Sequence, residues 1–193
     1  MGTLISLIFA FGYIGLFFLI FAESGLLFGF FLPGDSVLFT AGLFAAHGAL
    51  SIWILVPLVV AAAILGDSVG YWFGALVGPK LFERKDSRFF KKKYLHETER
   101  YFATYGSLTL IIARFTPAVR TFTPILAGVA HMKYTTFLRY NIMGGVLWGA
   151  GLTLLGYFLG SVIPSIDTYL YPIIALIIIA SLLPGVFAWR REK

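Results

Sequence analysis

Long uncharged runs of apolar residues dominate this chain. Four of them, Met1 to Ala22, Ser36 to Gly66, Tyr140 to Ile166 and Thr168 to Trp189, meet or exceed the roughly 20 residues that a helix needs to cross hydrocarbon. The second span is placed at about Ile52 to Val77, because Ala46 to Ser51 holds His47 and Gly48 and reads as a turn. Two further apolar stretches are interrupted. Ser24 to Ala45 is broken at Pro33-Gly34-Asp35, and Tyr101 to Ala130 at Arg114, Pro117, Arg120 and Pro124. Proline removes an N–H and kinks or breaks a helix, and broken backbone at membrane depth persists only where protein or a watery cavity covers it. The pattern predicts an all-α polytopic membrane protein of about four transmembrane helices with two re-entrant helical hairpins.

Charge orients these elements. Between Lys80 and Arg100 stand eight basic residues against four acidic ones, and the chain ends Arg190-Arg191-Glu192-Lys193, so both stretches are expected in the cytoplasm. Lys133 and Arg139 belong there too. A single crossing by Tyr101 to Ala130 would put Lys133, Arg139 and the basic tail outside, so this stretch is predicted to enter and return on the cytoplasmic side. The same bias places the N-terminus inside, His47 outside, and Ser24 to Ala45 as a hairpin entering from the outer face. The two hairpins then point at each other from opposite sides, the plan of an inverted repeat whose broken helices meet near the midplane. A weak internal repeat agrees: Ala41-Gly42 matches Ala127-Gly128, Gly70 to Gly74 matches Gly156 to Gly160, and Gly42 to Gly70 and Gly128 to Gly156 are both 28 residues apart.

Composition narrows the classes. The 193 residues are 59% hydrophobic and 12% charged, against roughly 25% charged in soluble domains. No linker-like segment divides them, so residues 1–193 are expected to form one membrane-embedded domain. Cysteine is absent, which excludes disulfides, thiolate metal sites and cysteine nucleophiles. Met1 to Ala22 lacks a basic flank and a small-residue cleavage site, so a retained helix is expected rather than a signal peptide. The net charge of +6 is accounted for by topology, and no nucleic-acid partner is expected. Phenylalanines and tyrosines interleave with the basic residues of about 80–100, which suits an amphipathic segment on the cytoplasmic face. Glycines 66, 70, 74 and 78 line one helix face, admitting close packing within the chain or in a homodimer.

Candidate chemistry lies in the charges within the apolar stretches: Glu23, Asp35 and Asp67 against Arg114 and Arg120. Intramembrane ionisable residues are expensive and face partners, cavities or substrate pathways. On a straight helix Arg114 and Arg120 would lie about 240° apart, and Pro117 between them lets both side chains converge. Arginine stays protonated and grips phosphate bidentately, which suits Arg114 and Arg120 to an anionic headgroup. Carboxylates can change charge, which suits Glu23 and Asp35 to proton coupling. Asp67, Pro33, Gly34 and Pro117 would shape the surroundings, with hydrogen-bonded packing an equal reading for Asp67. The bland alternative is that acids and arginines neutralise one another and lock the hairpins together. His47, His96 and His131 stand alone without metal-ligand spacing, so neither metal nor cofactor is expected. No serine sits in a nucleophile turn and no histidine in a phosphatase-like cluster, so enzymatic activity is not expected.

In order and spacing, Glu23, Phe31-Leu32-Pro33-Gly34-Asp35, Gly66-Asp67-x-x-Gly70-Tyr71, Ala113-Arg114-Phe115-x-Pro117-x-x-Arg120 and Ala127-Gly128 resemble the bacterial DedA family of inner-membrane proteins, related to the VTT-domain proteins of eukaryotes. The resemblance runs from about residue 21 to 160. It implies a cytoplasmic-membrane protein with opposed re-entrant hairpins and a role in lipid translocation, with members linked to recycling of undecaprenyl phosphate, to membrane-potential homeostasis and to phospholipid distribution. The family's functional acids fall on Glu23 and Asp35 and its functional arginines on Arg114 and Arg120. The leading expectation is a proton-coupled transporter of a lipid phosphate. A phospholipid scramblase, a proton or cation antiporter and a scaffold without transport are the rivals.

Overall fold

Apolar sequence becomes helix throughout the computed structural model, which describes residues 2–25, 34–82, 102 and 104–162. Every regular element among them is helical. In chain order these are α1 (Gly2–Gly25), α2 (Gly34–Ala46), α3 (Ile52–Phe82), α4 (Thr109–Ile112) between 3-10 turns Gly106–Leu108 and Ala113–Phe115, α5 (Pro117–Val129), α6 (Tyr134–Gly145), and α7 (Gly151–Val162). A π-helical turn, Val146–Ala150, joins α6 to α7 without a break.

Among the described residues, two helical stretches are long and apolar enough to cross a bilayer. One is Ile52–Val77, with the bounds expected from the sequence. The other is Tyr134–Val162, which begins six residues before the expected Tyr140 because Arg139 is carried within the helix, with Lys133 at its N-cap. The α1 helix covers most of the first expected span over 24 residues. The expected span Thr168 to Trp189, the basic segment from residue 83 to 100, and Pro33 lie outside the described residues.

The turn expected around His47-Gly48 is a Schellman cap on α2. Gly48 N–H donates to the Ala45 carbonyl at 3.2 Å and Ala49 N–H to Phe44 at 3.0 Å, with Gly48 at a φ of 76° that favours glycine. The same arrangement ends α5. His131 N–H donates to Gly128 at 3.0 Å and Met132 N–H to Ala127 at 3.0 Å, and His131 takes the left-handed position at φ 51°. The second expected interruption is also present. Thr116, ahead of Pro117, is extended at φ −121° and ψ 104°, because proline disfavours a helical residue before it. Its carbonyl restarts the chain by accepting Val119 and Arg120 N–H, both at 3.0 Å.

The chain falls into two compact units, residues 1–19, 31–59 and 149–193 in one, and 20–30 and 60–148 in the other. In the first, α2 packs on α7, with Leu38, Ala41, Leu43 and Ala45 buried. Gly42 abuts the backbone of Thr153 and Tyr157 so closely that a Cβ would overlap the Thr153 carbonyl, and Gly156 meets Phe39 in the same way. In the second unit, Gly128 abuts the backbone of Tyr71 and Ala75, and Gly74 that of Ile125. Of the glycines paired by the internal repeat, Gly42 and Gly128 make the same kind of backbone contact inside each unit, whereas Gly156 meets backbone and its counterpart Gly70 meets the Pro124 side chain. Around Gly128 an aromatic group of Tyr71, Tyr134 and Phe137 fills the core, with ring centroids 4.6 Å apart for Tyr71 and Phe137.

Candidate functional site

The second unit gathers four of the five charged residues of the apolar stretches, Glu23, Asp67, Arg114 and Arg120, into two ion pairs. Glu23 enters from the last turns of α1, where Gly66 of α3 meets the Phe21 carbonyl, Ser24 Cβ and Gly25 and has no room for a side chain of its own. Its Oε1 accepts a hydrogen bond from Arg120 Nη2, on the first turn of α5. Glu23 is 1% exposed and the Arg120 side chain 12%, so the pair is removed from solvent. Glu23 Oε2, equally buried, accepts no hydrogen bond.

Arg114 lies six residues earlier, in the 3-10 turn Ala113–Phe115 before the break. Its Nη2 donates to Asp67 Oδ2 on α3 and to Asn141 Oδ1 on α6. Asn141 is itself fixed by donating from Nδ2 to the Ile64 carbonyl at 3.1 Å. Gly144, one turn further along α6, supplies the space: a Cβ there would stand 2.9 Å from Arg114 Cδ and Nε. Burying a guanidinium is tolerable only with such a set of acceptors, since a charge without partners inside a low-dielectric interior is strongly unfavourable.

Both guanidinium groups also lie against one indole. Arg114 Cζ is 6.0 Å and Arg120 Cζ 5.0 Å from the centroid of Trp148, a buried residue at the centre of the π-helical turn. The break at Thr116 thus does what the spacing of Arg114 and Arg120 requires, bringing side chains that a straight helix would separate to a common neighbour.

The remaining candidates are placed as follows. Asp35 stands in the first turn of α2, after Gly34, and belongs to the other unit. Pro117 is the first residue of α5, where its missing N–H is not needed by the helix. Asp67, expected only near the site, is the carboxylate partner of Arg114. Asn141 and Trp148 were not expected. Asn141 is the chain's only asparagine, set in an apolar run, and that singularity is the signal that would have found it. Trp148 carries no comparable signal among so many aromatic residues. His47 Nδ1 faces the Leu43 carbonyl at 2.9 Å and His131 closes the α5 cap, a structural role for each.

Apolar helices of bilayer-spanning length that enclose guanidinium–carboxylate pairs define an α-helical membrane protein with a polar interior. Residues 32–158 match the VTT domain. An uncharacterized membrane protein of Mycobacterium leprae is 49% identical over 176 residues, covering 91% of this chain and 78% of its own. Protein DedA of Escherichia coli is 44% identical over 180 residues, 92% of this chain and 82% of its own. The inner membrane protein YqjA of Escherichia coli is 36% identical over 148 residues, 77% and 67%. No solved structure is significantly similar. The chain belongs to the DedA family of VTT-domain membrane proteins.

Proposed function

We propose that this protein moves a lipid phosphate, undecaprenyl phosphate, across the bacterial cytoplasmic membrane with proton coupling. The buried pair of Glu23 and Arg120 carries the reading. Carboxylate and phosphate present a guanidinium with the same kind of anionic oxygen, so Glu23 occupies Arg120 as a phosphate would. Protonating Glu23 removes the competing charge and turns Arg120 over to the lipid phosphate; losing the proton restores the carboxylate and expels the lipid anion. Glu23 Oε2, which accepts no hydrogen bond, is the oxygen that takes up this proton. Arg114 is the second phosphate ligand, kept in place by Asp67 and Asn141, and Asp35 is the second proton carrier.

The topology that accompanies this reading is the one drawn from charge bias: termini in the cytoplasm, several crossings, and two opposed re-entrant hairpins in an inverted repeat. Helix lengths support it. Each of α2 and α5 has 13 residues, about 20 Å, short of the roughly 30 Å hydrocarbon core. No covalent chemistry is assigned to the protein.

The test is transport by purified protein in proteoliposomes, with undecaprenyl phosphate followed from one leaflet to the other in the presence and absence of an imposed pH gradient. The wild type should respond to the gradient, Arg120→Ala and Arg114→Ala should abolish movement, and Glu23→Gln should abolish the response. Movement by both arginine variants at the wild-type rate would remove the proposal. Transport indifferent to the gradient and to Glu23→Gln would make the protein a scramblase.

A second reading is favoured by the same pairs: each arginine already holds a carboxylate, as a structural lock would. Exchanging Glu23 and Arg120 discriminates the two, because a lock survives the double reversal and a phosphate site does not.

A further inference from the structure

Trp148 is not among the charged residues that the proposed transport uses, yet it is the side chain that both arginines share. Its ring centroid is 5.0 Å from Arg120 Cζ and 6.0 Å from Arg114 Cζ, and it is buried. We propose that Trp148 is a positioning residue that holds the two guanidinium groups at the spacing in which one lipid phosphate monoester engages both. The inference rests on the function proposed above and adds a positioning residue to that site.

Three observations support it. First, indole is the aromatic group that attracts a cation most strongly, and the attraction grows as water is removed. Second, the aromatic face acts on the charge and accepts no in-plane N–H bond, so the guanidinium forks stay available to exchange a carboxylate for a phosphate. Leucine would offer an apolar surface and supply no such attraction. Third, Trp148 occupies the centre of the turn Val146–Ala150, and π-helical turns inside α-helices concentrate at functional positions. Two cations beside one ring suit a headgroup with two ionisable oxygens on one phosphorus. A phosphodiester has one ionisable oxygen there and engages the pair less well.

The experiment compares undecaprenyl phosphate transport by wild type, Trp148→Leu and Trp148→Phe in phosphatidylcholine proteoliposomes, with phosphatidylglycerol as the diester competitor. Trp148→Leu should raise the apparent KM about tenfold, hold the maximal rate within about twofold, and lose the preference for monoester over diester. Trp148→Phe should return most of the affinity. An unchanged KM and preference in Trp148→Leu would overturn the inference, and so would a Trp148→Phe variant no better than Trp148→Leu, since packing alone would then explain the ring. Should Trp148→Leu fail to fold, the chain carrying Trp53→Phe, Trp72→Phe and Trp189→Phe keeps Trp148 as its lone tryptophan. Undecaprenyl phosphate should shift its emission saturably and Arg120→Lys should weaken that response; an emission blind to the lipid would overturn the inference. A wild type that moves no phosphate lipid ends the proposed function and this inference together, whereas an active wild type beside an unimpaired Trp148→Leu ends this inference alone.

Discussion

Asp67 and Arg114, 47 residues apart in the sequence, close an ion pair inside the protein, and the guanidinium nitrogen that reaches Asp67 also reaches Asn141. This one side chain therefore ties α3 and α6 to the turn that precedes the chain break. The side chains of the pair are 5% and 11% exposed, so solvent does little to screen it. Glu23 and Arg120 form a second pair in the same unit, but there the carboxylate keeps one oxygen without a hydrogen bond. Arg114 Nε is likewise buried without a hydrogen bond, so what separates anchoring from exchange is that Arg114 Nη2 is held by acceptors from two helices, whereas one oxygen of the Glu23 carboxylate has no donor.

Removing one member of the anchored pair should therefore be worse than removing both. Asp67→Ala leaves the Arg114 charge buried with Asn141 as its acceptor, and losses of about 3–5 kcal/mol are typical when one partner of a buried pair is deleted. Asp67→Leu combined with Arg114→Met should recover much of that stability while leaving transport abolished. Thermal unfolding in detergent, alongside transport in proteoliposomes, checks both halves. Equal stability of Asp67→Ala and wild type would show that the pair anchors nothing.

The exchanging pair should respond differently to the same treatment. Arg120→Lys preserves charge but loses the planar fork that matches carboxylate and phosphate. It should reduce transport at least about tenfold with a modest change in stability. Glu23→Gln should leave binding of undecaprenyl phosphate intact or tighter, since the competing carboxylate is gone, and should stop release. Binding measured by equilibrium dialysis against transport on the same preparations separates these effects. A Glu23→Gln variant that binds more weakly than wild type would show that Glu23 supports the site rather than competing for it.

The glycines packed against backbone offer a stability test that involves no charged residue. Gly128→Ala places a methyl group into the Tyr71 carbonyl, and Gly74→Ala places one into that of Ile125. The opposing atoms are backbone and cannot rotate away, so each change should destabilise by about 1–3 kcal/mol or more. Gly15→Ala, in α1 with nothing within 4 Å of the new methyl, should be neutral or gain up to about 1 kcal/mol from helix propensity. Melting temperatures in detergent rank the three. A Gly128→Ala protein as stable as Gly15→Ala would mean that the helices separate at that point.

What the sequence disclosed about the site was whatever is local along the chain. Pro117 forces Thr116 out of helix through the geometry of one peptide unit, and a lone arginine in an apolar run announces itself, so the break and the two cations were legible. The choice of partners was not. Gly144 vacates the space that the Arg114 stem occupies, and Gly66 lets the end of α1 with Glu23 close on α3; neither consequence of a missing side chain is visible until the helices are packed. Trp148 was hidden for a further reason: its position depends on a π-helical turn, and periodicity assumes 3.6 residues per turn throughout. In the fold, helix ends marked by glycine or proline were legible. The end of α5 next to Ala130 was legible too, but its left-handed cap at His131 was not, because few residues other than glycine take that conformation.

The proposed topology is open to a direct test because the chain contains no cysteine, so one introduced thiol is the sole reactive site. His47 and Lys133 are exposed, each just beyond the end of a short helix, and either can become cysteine without disturbing a core. Under the charge bias, His47→Cys lies outside and Lys133→Cys inside, so a membrane-impermeant maleimide should label the first in right-side-out vesicles and the second in inverted ones. Thr116→Cys decides the hairpin. If residues 101–130 enter and return on the cytoplasmic side, a small charged thiol reagent should reach this position, at the break between two short helices, only from the cytoplasmic face, and undecaprenyl phosphate should slow the reaction by occupying the adjacent arginines. If that stretch crosses the bilayer once, Lys133→Cys should instead react from outside, and both the re-entrant hairpin and the inverted repeat built on it fail together.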